Sequence, residues 1–176
     1  GSFNMDLVAW AARRPQRGES LPGTRFAMYL GGKGFNQAVA AARLGAAVTM
    51  IGHLGSDSFG DSFLAALKTE DIDARHVSRD PSLATGVGLP LVEPDGANSI
   101  VVVLGANLAL SPEQIGQAIE PIATADALLL QLEVPQAASL HAARLARAAG
   151  VPVLLNPAPA QPLLPELIGL ADWLMP

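Results

Sequence analysis

Hydrophobic positions along this chain follow helical and strand spacing in alternation. Apolar residues at intervals of three and four predict helices, and short continuous apolar runs predict strands buried on both faces. The predicted elements, in chain order, are a helix over 36–44, a strand over 48–51, a helix over 58–68, a strand over 127–132, a helix over 135–149 and a strand over 151–155. This alternation predicts an α/β fold, with a mainly parallel sheet flanked by helices.

The segment over 85–104 has a different pattern. Val87, Leu89 and Leu91 alternate with smaller residues, and a second apolar run follows over 100–104. The turn-forming sequence Pro94-Asp95-Gly96 separates the two runs, which is typical of a hairpin. Beyond it, Ser111 before Pro112 predicts the start of another helix, with Ser111 as the N-cap.

Composition and charge restrict the possible partners. The chain has 176 residues, 50% of them hydrophobic, which is enough for a single globular domain. Its net charge of -5 and scattered basic residues argue against a nucleic-acid partner, and no apolar run is long enough to predict a membrane span. The sequence has no cysteine, which excludes disulfides and favours a cytoplasmic location. Both ends, at Gly1 and Pro176, read as cuts within a fold.

The run Gly31-Gly32-Lys33-Gly34-Phe35-Asn36 is the strongest candidate for a binding site. Glycines let a ligand approach the backbone, and the first N–H groups of a helix lack internal partners, so these donors are expected to be free for hydroxyls or an anion. The run does not fit a phosphate-binding loop, because Gly34 rather than Ser or Thr follows Lys33, and it lacks the third glycine of a dinucleotide fingerprint. Lys33 and Asn36 instead favour a neutral polyol.

Other candidates are weaker. Glu133 and Asn156 each follow a predicted strand, so both are expected at the same rim of the sheet, where ligands bind in α/β folds. The three histidines, His53, His76 and His141, have no partners at metal-ligand spacing, and we predict no metal site. Asp57 and Asp61 could form a carboxylate pair, but their place at a helix start favours capping.

The glycine run also carries a family resemblance. Gly31, Gly32, Gly34, Asn36, Ala38, Gly45 and Gly55 fall at the spacing of the N-terminal signature of the ribokinase-type (PfkB) carbohydrate kinases. The resemblance covers almost the whole chain, and Gly1 to Asp6 resemble the loop that closes the first strand of that family. Further similar segments are Gly105-Ala106-Asn107, Gln131-Leu132-Glu133 and Asn156-Pro157-Ala158-Pro159-Ala160.

The resemblance implies a ribokinase-like α/β fold and a set of sugar-binding residues. By carry-over from the family signature, the substrate is held by Asn4, Asp6, Gly31, Gly32, Lys33, Asn36 and Glu133. It further implies that strands at about 6–30 and 85–104 form a small β-lid over the sugar and pair with a second lid in a homodimer. Closure of such a lid would keep water from the reaction.

The implied activity is ATP-dependent phosphorylation of a primary hydroxyl of a pentose, with O5 of D-ribose as the first choice. The family's catalytic aspartate, with the sites for ATP, Mg²⁺ and a monovalent cation such as K⁺, is expected beyond Pro176, so no catalytic residue is assigned and the chain alone is predicted to be inactive. Other family kinases, acting on fructose, 2-keto-3-deoxygluconate or a nucleoside, remain open. So does a non-catalytic sugar-binding module.

Overall fold

A computed structural model describes residues 1–175, and it confirms the α/β class predicted from the sequence. Helices and strands alternate along most of these residues, interrupted by a strand-rich segment before residue 104. In chain order the elements are β1 (Asn4–Trp10), β2 (Arg25–Gly31), α1 (Lys33–Arg43), β3 (Thr49–Gly55), α2 (Ser58–Thr69), β4 (Asp73–Asp80), β5 (Gly86–Val92), β6 (Asn98–Val103), a 3₁₀ turn (Gly105–Ala109), α3 (Pro112–Gly116), α4 (Ile119–Ala123), β7 (Leu128–Leu130), α5 (Gln136–Ala148), β8 (Val153–Leu155), α6 (Pro165–Leu170) and β9 (Trp173–Leu174).

Four strands form a mixed sheet in the order β2-β1-β5-β6, which we call the mixed sheet. β1 runs antiparallel to β2 and parallel to β5, and β5 and β6 form the predicted antiparallel hairpin. The expectation of a loop up to Asp6 is wrong, because β1 begins at Asn4 and pairs with strands on both sides. Asn4 and Asp6 therefore lie on one face of this sheet, two residues apart along the strand.

The remaining strands form parallel pairs. β3 pairs with β4, and β7, β8 and β9 form a second parallel set. The sequence pattern did not predict β4, because its residues Asp73-Ala-Arg-His-Val-Ser-Arg-Asp alternate poorly and several are charged. Its pairing with β3 and the packing of Ile72 and Val77 against the neighbouring core hold it in place. The short elements α6 and β9 were likewise not predicted.

Two hydrophobic clusters support these layers. One is built around β3, α1 and α2, where the rings of Phe3, Phe35 and Phe63 contact one another with centroids 5.0 to 6.2 Å apart. The other lies between β7 and β8 and the helices α3 to α6, and its members include Ile122, Leu130 and Leu155. Helices pack against parallel strands in both clusters, which accounts for the apolar runs in the sequence.

The helix termini show which local sequence signals were sufficient to predict where a helix begins. Asp57 caps α2 by accepting from Gly60 N, and Ser111 forms a capping box with Gln114, both as the capping residues predict. Helix α1 begins at Lys33, three residues before the predicted start, because Gly32 adopts a φ of 92° and redirects the chain there. Within residues 1–175 no helix is both long and apolar enough to cross a membrane.

Candidate functional site

The carboxylate of Asp6 lies in a space that two glycines leave open on the mixed sheet. A Cβ on Gly31 would lie 2.3 Å from Asp6 Oδ2, and a Cβ on Gly88 would lie 2.3 Å from Asp6 Oδ1. Both distances are shorter than a real contact, so a side chain at either position would force the Asp6 carboxylate to move. Among residues 1–175, Asp6 accepts no hydrogen bond, which leaves both of its oxygens available to a ligand.

Asn4 lies two residues earlier on the same face and is held by Asn107. The buried Asn107 accepts from Phe3 N through Oδ1 (2.8 Å) and donates through Nδ2 to Phe3 O (2.7 Å) and Leu104 O (2.8 Å). These backbone bonds fix its orientation, so the atom of Asn4 that Asn107 Nδ2 contacts at 3.0 Å must be the acceptor Oδ1. Asn4 Nδ2 is thereby left as the donor of this site.

Glu133 follows β7 on the opposite side of the site and is only 7% exposed. Its Oε2 accepts from Ser2 Oγ (2.6 Å) and from Lys33 N at the start of α1 (2.7 Å). A carboxylate at a helix N-terminus is favoured by the helix dipole. Among the described residues Oε1 accepts no hydrogen bond, so Glu133 has one anchored oxygen and one that a ligand could reach.

Asp6 and Glu133 influence each other electrostatically. Partial burial raises the pKa of Asp6 above its ordinary value, and the negative charge of Glu133 raises it further. Two nearby carboxyl groups with unbonded oxygens suit a ligand that brings several hydrogen-bond donors. Vicinal hydroxyl groups supply such donors.

The backbone N–H groups that follow Gly32 do not have the ligand-binding role that the sequence suggests. The N–H groups at the start of α1 are not free: Lys33 N donates to Glu133, Gly34 N to Ser2 Oγ (3.0 Å) and Phe35 N to Ser2 O (2.9 Å). The expectation that these donors face a ligand is therefore wrong, because Ser2 and Glu133 already satisfy them. Asn36 lies exposed in the first turn of α1, and none of residues 1–175 forms a hydrogen bond with its side chain.

Gly32 brings the glycine run against the start of β1. A Cβ there would lie 2.7 Å from Asn4 N, so the close approach of the two segments requires glycine. The sheet thus positions Asn4, Asp6 and Gly31, while the loop after β7 positions Glu133 and helix α1 positions Lys33.

The other carboxylate candidates and His53 form their hydrogen bonds with residues outside this group. Asp57 and Asp61 have different roles. Asp57 caps α2 and accepts a hydrogen bond from Thr85 N, while Asp61 forms an ion pair with Arg79. His53 is buried, with Nδ1 hydrogen-bonded to Ser78 Oγ and Gln114 Nε2. In the described part of the chain no three His, Cys, Asp or Glu side chains group as metal ligands.

Two residues that organise the site were not singled out from the sequence. Ser2 bridges Glu133 and α1, and Asn107 holds β1 from the 3₁₀ turn, so both act on residues far away along the chain. Serine and asparagine are common in loops, and only the three-dimensional contacts distinguish these two. Complete burial distinguishes them from ordinary loop residues, since each is 0% exposed.

Comparison with known proteins shows which family this chain resembles. The family model for pfkB family carbohydrate kinases matches residues 1–176. A ribokinase of Bacillus subtilis is 42% identical over 177 residues, covering 100% of this chain and 60% of that protein. A deoxyribokinase of Salmonella typhi is 39% identical over 160 residues, covering 91% of this chain and 52% of that protein.

A solved structure resembles the fold closely. The ribokinase of Arabidopsis thaliana, complexed with ribose and ATP, superposes with a TM-score of 0.90 at 32% identity. The match covers 99% of this chain and 57% of that protein. The chain therefore spans between about half and three fifths of the length of these relatives.

Proposed function

This chain belongs to the PfkB family of carbohydrate kinases, and on that premise we propose that it is the sugar-holding part of an ATP-dependent ribokinase. The protein that contains it would convert D-ribose to D-ribose 5-phosphate. The observation that carries this proposal is the open carboxylate of Asp6, set between Gly31 and Gly88 and paired electrostatically with Glu133. A polyol is the ligand that such an arrangement suits.

Each polar group has a role that its hydrogen bonds support. Asp6 accepts from two neighbouring sugar hydroxyls, and Glu133 accepts from a third through Oε1. Asn4 donates through Nδ2 to a sugar oxygen, because Asn107 occupies its Oδ1. Gly31 and Gly32 provide the close backbone wall, and Lys33 and Asn36 lie at the rim on α1. Charge-assisted bonds of this kind hold a small neutral sugar more firmly than neutral ones do.

The sugar would connect two parts of the molecule. Asp6 belongs to the mixed sheet and Glu133 to the body of helices and parallel strands, so binding between them would draw the sheet over the substrate. We propose that the mixed sheet is the lid of the site. Closure over a bound sugar positions the reacting hydroxyl and keeps water out.

The groups that hold ATP, Mg²⁺ and a monovalent cation such as K⁺ are proposed to lie outside this chain. No metal-ligand cluster is found among residues 1–175, so we assign none of these residues to a cation. ATP supplies the phosphoryl group when bound, and the residues described here hold and orient its acceptor. A cytoplasmic location for the enzyme is proposed on the same family basis.

The outer face of the lid supports a homodimer. On the face opposite Asp6, the strands of the mixed sheet expose large apolar side chains, including Phe26 at 62% and Val101 at 61%. The remaining members of this patch are Met28, Leu89 and Val103. A contiguous exposed apolar face on a sheet is typical of a protein interface, and we propose that a second copy covers it.

Substrate choice is tested by kinetics on the protein that contains this chain. The kcat/KM for D-ribose should exceed those for 2-deoxy-D-ribose, D-fructose, 2-keto-3-deoxygluconate and adenosine, since discrimination is a ratio of these values. The deoxyribose arm matters because a deoxyribokinase is among the relatives. A better substrate than ribose in this panel would replace the ribose assignment, and sugar binding without phosphorylation of any member would favour a binding module.

A further inference from the structure

One buried side chain lies where the strands of the mixed sheet join the body of the molecule. The chain crosses between the two at residues 3–4, 31–32, 85–86 and 104–105. Asn107 follows the last crossing, in the 3₁₀ turn, and is 0% exposed. Its side chain forms hydrogen bonds with Phe3 and Asn4 at the first crossing and with Leu104 at the last. A single amide group therefore connects the start of β1 with the end of β6.

The space for this connection depends on Gly86, where β5 begins and pairs with Asn4 of β1. A Cβ on Gly86 would lie 2.3 Å from Asn4 Oδ1 and 2.4 Å from Asn107 Nδ2, at the bond between the two amide groups. Glycine at the third crossing therefore allows the two side chains to meet. A side chain at this position would push them apart.

The bond to Asn4 is the longest of those that Asn107 donates. An amide nitrogen has two hydrogens, and Asn107 Nδ2 shares them among Phe3 O at 2.7 Å, Leu104 O at 2.8 Å and Asn4 Oδ1 at 3.0 Å. The two backbone acceptors fix the Asn107 amide, and the third contact transmits its orientation to Asn4. The Asn4 side chain forms no other hydrogen bond with residues 1–175, so no other bond in this part of the chain distinguishes its two amide orientations.

The orientation of Asn4 decides which hydrogen-bonding group the sugar meets on β1. Ionised Asp6 and Glu133 only accept, whereas each sugar hydroxyl both donates and accepts. A hydroxyl that donates to one of these carboxylates therefore needs a donor for its own oxygen, and Asn4 Nδ2 supplies one. With the Asn4 amide reversed, the side chains of Asn4 and Asp6 would present acceptors alone.

We propose that Asn107 is a positioning residue for the sugar, which holds Asn4 Nδ2 toward the ligand and ties this orientation to the ends of β1, β5 and β6. The inference rests on the proposed function, because the ligand is the sugar of that site. Asn107 is completely buried, so it acts on the sugar through Asn4 rather than by direct contact.

The test is a double-mutant cycle in the full-length protein that contains this chain. Asn107→Asp keeps the shape of the side chain and the acceptor for Phe3 N, but it removes the donor to Asn4 Oδ1. The Asn4 amide is then expected to turn its Nδ2 toward the new carboxylate. Asn4→Ala and the double variant complete the cycle. Asn98→Asp is the control, since it makes the same change at an exposed position of β6.

We expect Asn107→Asp to raise KM for D-ribose by about tenfold and to lower kcat by less than about threefold, because the lost bond holds the sugar in the ground state and the transition state alike. Asn4→Ala should raise KM to a similar extent. Adding Asn107→Asp to Asn4→Ala should change KM by less than about twofold, because the effect passes through the missing amide. Fully multiplied effects, or an equal rise in KM for Asn98→Asp, would overturn the proposal.

A structural readout separates failure of this inference from failure of the proposed function. In protein labelled with ¹⁵N-asparagine, the side-chain NH₂ signal of Asn4 is assigned by its loss in Asn4→Ala. Its hydrogen exchange without sugar should be slower in Asn107→Asp than in the wild type by about tenfold, since the new carboxylate accepts from it. Equal exchange would overturn the inference. A wild type that binds no sugar would instead remove the proposed function, and the exchange difference would still test the hold of Asn107 on Asn4.

Asn4→Asp tests the same orientation should Asn107→Asp fail to fold. It keeps an oxygen toward Asn107 Nδ2 and replaces only the ligand-facing Nδ2. The KM for D-ribose should therefore rise by about tenfold, while the Tm changes by less than about 3 °C. An unchanged KM would show that Asn4 presents an acceptor to the sugar and would overturn the proposal.

Discussion

Glu133 connects the fold to the candidate site through a single side chain. One oxygen fixes Ser2 and the start of α1, and the other remains available to a ligand. Asp6 shows the opposite balance, because no hydrogen bond from residues 1–175 stabilises its charge and burial works against it. Groups held in such unfavourable environments are common where a protein binds a ligand, since the ligand supplies the missing interactions. Asp6 is therefore expected to lower the stability of the folded chain while it contributes to ligand binding.

The Asp6→Asn variant tests both effects of this carboxylate. Loss of the carboxylate should lower kcat/KM for ribose in the protein containing this chain by about 10- to 150-fold, the usual range for removing hydrogen bonds to a charged group. The same change should leave the unfolding free energy of the chain equal or higher by about 0.2 to 1 kcal/mol at pH 7, because it removes a charge that burial and, to a smaller extent, Glu133 disfavour. Urea unfolding provides the second measurement.

The pH dependence follows from the raised pKa of Asp6. The folded state holds the Asp6 proton more firmly than the unfolded state, so this group costs stability as pH rises through its folded pKa. The advantage of the Asn variant should therefore vanish at low pH, where Asp6 is protonated in both states. Asp126→Asn is the control, since Asp126 is exposed. A variant with lower stability and unchanged kinetics would show that Asp6 is structural.

At the scale of elements, the sequence predicted the helix and strand boundaries that depend on neighbouring residues. Capping residues placed the starts of α2 and α3, and apolar runs found β7 and β8 within a few residues. The early start of α1 depends on Ser2 and Glu133, which are distant along the chain, and β4 depends on its partner β3. The same limit applies to the candidate site: the family spacing proposed Asp6 and Glu133, but nothing in the sequence indicated that Ser2 accepts hydrogen bonds from the first N–H groups of α1.

Asp57 gives a prediction at this scale, because it serves two elements. Besides capping α2, it accepts from Thr85 N (2.8 Å) and Thr85 Oγ1 (2.8 Å), and so ties the start of β5 to α2. Burial opposes its charge, but these bonds with that from Gly60 outweigh the opposition and lower the pKa of Asp57. Asp57→Ala removes the cap, worth about 1 kcal/mol, and leaves the N–H of buried Thr85 unpaired, costing about 1 to 3 kcal/mol.

We therefore expect Asp57→Ala to lower the unfolding free energy by about 2 to 4 kcal/mol in urea titrations. Asp61→Ala is the matched control in the same first turn, since its ion pair with Arg79 is exposed and should contribute less than about 1 kcal/mol. If the two variants lost equal stability, the link between Asp57 and Thr85 would have no energetic role beyond capping.

For the whole molecule, the organisation is that of a small mixed sheet beside a body with two hydrophobic clusters. The candidate-site residues lie where the sheet meets the body. Gly1 lies beside them, because its amino group donates to Ile51 O of β3 and the next residue, Ser2, donates to Glu133.

The amino group of Gly1 makes the stability of the 1–176 chain depend on pH. Desolvation lowers its pKa from 8.0 to about 5 in the folded state. Between these values the unfolded chain binds a proton that the folded chain does not, so the unfolding free energy should rise with pH from about 5 to 8. The full gain is present above pH 8 and amounts to about 2 to 4 kcal/mol.

N-terminal acetylation isolates this contribution. The acetylated chain keeps an N–H that can donate to Ile51 O but has no titrating amine, so its urea stability should vary less between pH 5 and 8 than that of the free amine. The other titratable groups are the same in both forms, so their contributions cancel in the difference. Because the two forms differ only in this amino group, a difference confined to pH 5 to 8 belongs to Gly1. Identical pH profiles would show that the amino group is solvated rather than buried.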